Sequence, residues 1–218
     1  MTKPTVEISK ELQEAFEHFN RTLFEREFGN SLPDCVITLQ RRRNTKGFFS
    51  AEQFIHLGES SEVRHEIALN PQHFGTRDVK EILSTLVHEM VHLWQQEFGK
   101  PGRARYHNLE FAQRMEDLGL KAFNVNDPDR VKVTGDSVDH SIIPGGKFDK
   151  AADRLLNRKA GFAISWSDRS VDSPDSEKEK TSGQRTKYSC PKCDLAAWAK
   201  SDAHLKCGDC DLRMKPAE

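Results

Sequence analysis

The sequence predicts an α+β domain followed by a small cysteine-anchored module. Three observations carry this. Apolar residues recur at helical spacing near the start and again in the middle of the chain, short β-branched and aromatic runs lie between those stretches, and four cysteines close the sequence as two CxxC pairs. With 218 residues there is enough chain for one ordinary core and an accessory piece, but two full domains would be cramped.

The first helix is expected over 9–28. Ser9 is its candidate cap, and Leu12, Ala15, Phe16, Phe19, Leu23 and Phe24 form the apolar stripe until Asn30 and Pro33 stop it. Short strands are expected at Val36-Ile37-Thr38-Leu39, Gly47-Phe48-Phe49, Phe54-Ile55-His56-Leu57 and Arg64 to Leu69, together reading as a small antiparallel meander. A long helix over 76–98 is apolar on one broad side and ends at Gly99 and Pro101, and a shorter helix over 108–118 stops at Gly119. From 121 to 146 the chain is rich in Asp, Asn, Gly and Pro, with one strand expected at 138–143. A short helix follows at 149–157. The stretch 167–186 has too few apolar residues to offset the entropy of ordering and reads as a flexible linker.

Composition narrows the function classes. No window is apolar for long enough to span a bilayer, and the first twenty residues interleave Glu7, Glu11, Glu14 and Glu17 with apolar groups, unlike a secretory leader. A membrane protein is excluded on this reading. A cytoplasmic location is expected, with nucleoid association compatible. Lys plus Arg total 33 against 34 Asp plus Glu, so any contact with nucleic acid must rest on local patches. The densest is Arg41-Arg42-Arg43, expected at a hairpin turn.

His88-Glu89-Met90-Val91-His92 lies inside the long helix. Histidines four apart project from one helix face about one turn apart, so both imidazoles can bind one zinc ion while Glu89 reaches a water on it. Two ordinary helical histidines flanking a surface glutamate are a poor alternative, because His88 and Glu89 interrupt a face that would otherwise be core and burying an ionisable group without a partner is expensive. A catalytic zinc usually has three protein ligands. His107, after the Gly99-Lys100-Pro101-Gly102 turn, is the best third ligand, with His140, Glu110 and Glu116 as rivals.

Cys190, Cys193, Cys207 and Cys210 have the spacing of a tetrahedral four-cysteine zinc site, each CxxC turning two thiolates toward one metal. A zinc ribbon is expected over 187–216, with His204 as a weak competing ligand. The segment 176–218 holds nine basic and seven acidic side chains, so a loaded ribbon is close to neutral. Stacking on Trp198 and contacts from Lys187 and Lys192 are its routes to nucleic acid, although packing within the ribbon is the simpler role for Trp198. Cys35 reads as a buried thiol, and Trp94 and Trp166 as core or core-edge residues.

Several stretches resemble the SprT-like metalloproteases, which include bacterial SprT proteins and the eukaryotic DNA-dependent protease Spartan. They are Phe19-Asn20-Arg21-Thr22-Leu23-Phe24, Gly47-Phe48-Phe49-Ser50, Ile67-Ala68-Leu69-Asn70-Pro71, Ser84 through His92, and Tyr106-His107-Asn108-Leu109-Glu110-Phe111. The resemblance covers about 12–120 and returns at the four cysteines. It implies a zinc peptidase with His88, His92 and His107 as ligands and Glu89 as acid/base, and its eukaryotic members act on proteins crosslinked to DNA. The stretch ending in His140 also matches bacterial relatives, with a structural role expected.

The resulting expectation is a zincin-like α+β metalloprotease domain over 9–166, with helices packed on a small antiparallel sheet, a linker over 167–186 and a zinc ribbon over 187–216. Two zinc ions per chain are expected, one catalytic and one structural. The substrate is a protein or peptide, and single-stranded or damaged DNA is the further partner. Substrate is expected to pair with an edge strand near Arg64 to Leu69, and Tyr106 is the candidate oxyanion donor. The competing class is a non-catalytic, zinc-stabilised nucleic-acid-binding adaptor. The intact Glu89 argues against it, since a structural site has no use for that residue.

Overall fold

A computed structural model of the 218-residue chain describes residues 3–58, 61–127, 129–159, 161–169 and 186–216. The chain divides into two compact units, Met1–Asp172 and Ser173–Glu218. Helices and small sheets are mixed in the first unit, and three short strands make up the second. The expected linker falls mostly outside the described residues, but Asp168 within it is buried, its backbone N–H donating to Pro71 O and its carboxylate paired with Arg41.

Helix α1 spans Pro4–Phe19, continues through a wider π-type turn over Asn20–Glu25 and ends in α2, Arg26–Phe28. Proline at the first helical position starts it, because its missing N–H would have had no helical partner there. Ser9 is therefore interior, its hydroxyl donating to Thr5 O at 2.7 Å, and Gly29, with φ of 69°, ends the run before Asn30. The apolar stripe is as expected: Leu12, Ala15, Phe16, Phe19, Leu23 and Phe24 are all buried.

The sheet is mixed, not an antiparallel meander. Strands β1 (Val36–Leu39), β2 (Gly47–Ile55) and β3 (Val63–Leu69) lie in the order β1-β3-β2, with β1 parallel and β2 antiparallel to β3. The cause is the segment 40–46, which is no hairpin. It wraps past the end of β3, where the Asn70 side-chain amide donates to Arg42 O and Thr45 O, both at 2.9 Å. The two strands expected at 47–49 and 54–57 are one strand bent by a bulge between Ser50 and Phe54, with Glu52 at φ of 51°.

Helix α3, Val79–Phe98, lies against β2 and β3. Asp78 and Glu81 form a reciprocal capping box at its start, and residues from Ile82 to Gln95 are buried apart from the half-buried His92. Helix α4 (Leu109–Asp117) leads through Gly119 into β4 (Leu120–Asn124), which pairs antiparallel with β5 (Val138–Ile142). Strand β4 was not expected from sequence, and Leu109 is exposed where the helical pattern placed it inside. Helix α5, Lys147–Leu156, buries Phe148, Ala151, Ala152 and Leu155, and Lys80 of α3 bonds Asp149 and Asp153 of α5 at 2.6 and 2.7 Å.

Ser165 and Trp166 then bond to α1. Ser165 N–H donates to Glu11 and Trp166 Nε1 to Glu7 at 2.9 Å each, while Phe162 and Ile164 pack on the core. Trp94 is core as expected, whereas Trp166 is 45% exposed. Cys35 is half-buried, and burial pushes its thiol up to about 12.

Candidate metal centres

Ser84, His88 and His92 recur every four residues along α3, so their side chains share one face of the helix. A single turn of helix thus delivers two imidazoles to one point. The third comes from the loop before α4. His107 forms an isolated bridge with Gly135, donating N–H to Gly135 O at 2.9 Å and accepting from Gly135 N at 3.0 Å. Gly135 has φ of 135°, and a Cβ there would meet Asn124 Nδ2 at 2.4 Å, so glycine is required.

The α3–α4 connection is latched by polar side chains. Gln95 Nε2 donates to Asn108 Oδ1 and Glu110 Oε2, Glu110 also accepts from Lys100 N at 2.7 Å, and Asn108 caps α4 by accepting from Phe111 N. Glu110 therefore holds the loop and has no place among the metal donors. His107 Nε2 lies 3.2 Å from His88 Nε2 and 3.1 Å from His92 Nε2. One donor atom from each of the three residues falls within 4.8 Å of the others. Phe111 touches all three rings at centroid distances of 4.3 to 4.9 Å, and Phe49 stacks on His92 at 6.3 Å.

The donor set fits a metal ion. His107 Nδ1 lies 3.1 Å from Gly135 O, so that nitrogen carries the proton and Nε2 presents a lone pair to the cluster. Burial lowers all three imidazoles, His92 to about 3, which keeps them neutral as ligands must be. Glu89 is 4% exposed, and among the described residues its carboxylate has no hydrogen-bond or ion-pair partner. Burial raises it to about 8. Its Oε1 lies 3.0 Å from where a Cβ on Gly47 would stand, so the bare backbone of β2 makes room for it.

His140 is not a ligand: its Nε2 is 2.9 Å from Ser84 Oγ and its ring stacks on His88. Glu116 is outside the cluster as well. Tyr106 borders a shallow cavity of about 340 Å³ with Asn124, Lys132, Gly135 and Asp136. The roles of Gly135, of Gly47 and of the Gln95–Asn108–Glu110 latch were not read from sequence. Nothing in their local sequence signals these contacts, which only the folded chain creates.

The second cluster joins Cys190, Cys193, Cys207 and Cys210, again with donor atoms within 4.8 Å. Each CxxC is followed by an aspartate at positive φ, Asp194 at 57° and Asp211 at 55°, which turns the chain back. The matching bonds are Cys190 N to Leu195 O and Cys207 N to Leu212 O, so the two knuckles are built alike. Backbone N–H groups of Lys192 and Cys193 directed at Cys190 lower its thiol to about 7. Cys190 and Cys207, with Cys210 partly buried beside them, join Tyr188 and Met214 in a small core in the unit that holds β6 (Thr186–Ser189), β7 (Ala196–Ala199) and β8 (Lys215–Pro216). His204 pairs with Arg213 and is no member of the cluster.

The basic run is partly spent inside the fold. Arg41 pairs with Asp168, and Arg42 lies over the Phe48 ring at 4.6 Å. Trp198, in contrast, is 60% exposed and does not pack the small core, with Lys187 Nζ 5.9 Å from its ring centroid.

The sequence profile of the SprT-like family matches residues 12–132, more than half of the chain. The chain belongs to the SprT-like family. This SprT-like chain is also similar to an uncharacterised protein in the mucB 3′ region of Salmonella typhimurium, 46% identical over 52 residues. That match covers 24% of this chain and 65% of the relative, just under two thirds of its length. Among the described residues, no helix of this SprT-like protein is long and apolar enough to cross a membrane.

Proposed function

We propose that this SprT-like chain is a zinc-dependent endopeptidase with a zincin-like catalytic domain and a C-terminal zinc ribbon. The observation that carries the reading is the convergence of three imidazoles, with the buried Glu89 next in the chain to one of them and, among the described residues, without a hydrogen-bond or ion-pair partner. A structural metal site needs the histidines and has no need of Glu89. His88, His92 and His107 would hold the catalytic zinc through Nε2, and the four cysteines the structural one. When bound, zinc supplies Lewis acidity that makes water nucleophilic near neutral pH and polarises a carbonyl.

The Glu89 carboxylate accepts the proton of the attacking water and passes it to the leaving amine nitrogen. Burial raises its affinity for that proton. The edge strand that an extended substrate would join is β2 and not β3, because β3 is paired on both sides. Gly47 beside Glu89 and Phe49 beside His92 run this edge past the cluster. Tyr106, next to His107, is the oxyanion-stabilising candidate. DNA-associated or DNA-crosslinked proteins in the cytoplasm or nucleoid are the proposed substrates, with Trp198, Lys187 and Lys192 as the contacts to single-stranded DNA.

Casein cleavage and metal content of the full chain test this reading together. Wild type should contain about two zinc ions and cleave, Glu89→Gln should keep both ions without cleaving, and the pair Cys190→Ser and Cys193→Ser should retain one. Cleavage by Glu89→Gln at the wild-type rate would refute the mechanism.

A further inference from the structure

Among the described residues, three buried side-chain polar atoms lack a hydrogen-bond partner: His88 Nδ1, His140 Nδ1 and Arg114 Nε. Two of them belong to imidazoles stacked on each other, with centroids 5.2 Å apart and planes at 29°. Their protonation follows from their neighbours. The Ser84 hydroxyl donates to Glu81 O at 2.8 Å, so toward His140 its oxygen accepts, and His140 Nε2 carries the proton at 2.9 Å. The other nitrogen of that neutral ring, Nδ1, is then a lone pair. Asp139 Oδ1 lies 3.8 Å from it and has no proton to offer.

His88 is the reverse case. With Nε2 directed into the three-histidine cluster, its proton resides on Nδ1, which is a donor with no acceptor. Metal-bound histidines characteristically give their second N–H to an acceptor, which fixes the ring and raises its basicity as a ligand. One ring of the stacked pair thus carries a donor without an acceptor, and the other an acceptor without a donor.

We propose that His140 is a positioning residue for His88: its ring fixes the plane of the ligand by stacking, and its Nδ1 receives the His88 Nδ1–H through one bridging water. This rests on the reading of His88, His92 and His107 as a metal site. The support for His140 is built into the fold. Ser84 lies one turn before His88 on α3, β4 pairs Ala122 with His140, and Lys46 bonds the adjacent Asp139 at 2.6 Å, so β5 is tied to both α3 and the start of β2. His140 thereby couples the strand pair after α4 to a ligand on α3.

The test is Co²⁺ and Zn²⁺ binding to the full chain, with the histidine site followed by its visible d–d absorption and the cysteine site by thiolate charge-transfer bands. His140→Phe keeps a stacked ring and removes the acceptor. Ser84→Ala keeps the ring and frees the proton position of His140. Both should weaken metal at the histidine site by about tenfold or more and shift the d–d band, while leaving the cysteine site unchanged. Should His140→Phe fail to fold by circular dichroism, Ser84→Ala decides alone. Wild-type affinity and an unshifted band in the folded variants would overturn the role of His140. Absence of metal from the histidine site of wild type would overturn the metal reading itself, and this inference with it.

Discussion

His107 and Gly135 bond to each other three times: through both backbone amides, at 2.9 and 3.0 Å, and through His107 Nδ1 to the glycine carbonyl at 3.1 Å. One residue of the β4–β5 connection therefore sets both the position and the tautomer of a candidate ligand carried by another loop.

Gly135→Ala should damage that arrangement. The new methyl would meet Asn124 Nδ2 at 2.4 Å in a backbone conformation unsuited to alanine. We expect a destabilisation of about 1–3 kcal/mol in urea unfolding, with weaker metal binding at the histidine site in a competition titration. Unchanged values in both measurements would show that His107 is held by something else.

Gly47→Ala probes Glu89. A Cβ on Gly47 would lie 3.0 Å from Ala68 O, Glu89 Oε1 and Thr85 Cγ2. Because the Ala68 carbonyl is fixed in the sheet, the carboxylate is the group that moves. Cleavage should fall by about 10- to 100-fold with metal content unchanged, as expected when a reacting group is displaced by a fraction of an ångström. Equal loss of metal would mean that the change acts on the ligands.

His18 should make the first unit acid-sensitive. Its Nε2 donates to Ala151 O at 2.8 Å, its Nδ1 accepts from Arg158 at 2.8 Å, and burial, reinforced by nearby arginines, lowers its pKa from 6.5. The sign follows from linkage. Above pH 6.5 the ring is neutral in both states and its contribution is complete; below that value the unfolded chain binds a proton that the folded one resists, so stability falls with pH. His18→Gln, which keeps a donor for Ala151, should show a shallower drop in unfolding midpoint between pH 7.5 and 5.5 than wild type. Parallel pH profiles would assign the sensitivity to other groups.

Trp198→Ala should weaken single-stranded DNA binding by about 1–3 kcal/mol if one base stacks on the exposed indole. Lys187→Ala should lower the salt dependence of that binding by roughly one phosphate contact. Fluorescence anisotropy at several salt concentrations separates the two effects. Wild-type affinity for both variants would place nucleic-acid contacts elsewhere or nowhere.

The elements whose pattern is local were legible in the sequence. The apolar stripe of α1, the extent of β1, and α3 with its two histidines follow from periodicity and spacing alone. His107 came from a turn signal and the family resemblance. Pairing was not legible, because parallel β1–β3 contact depends on how 40–46 wraps around Asn70, and nothing local in that segment distinguishes a wrap from a hairpin. The roles of Gly47 and Gly135 were hidden for a related reason: each is set by an atom of a residue far along the chain. Arg41 and Arg42 looked available for phosphate because their partners, Asp168 and Phe48, cannot be read from charge.

Hydrogen bonds join Glu7 and Glu11 of α1 to Trp166 and Ser165, across more than 150 residues of intervening chain. A ribosome releases residues in order, so α1 waits for nearly the whole unit before these partners exist. Until then Glu7 and Glu11 lack these partners, and the part of the core that Phe162 and Ile164 pack against is uncovered. The contacts of α1 are therefore completed late, and a nascent chain halted before Ser165 would leave Glu7, Glu11 and the core beneath Phe162 and Ile164 open to chaperones and proteases.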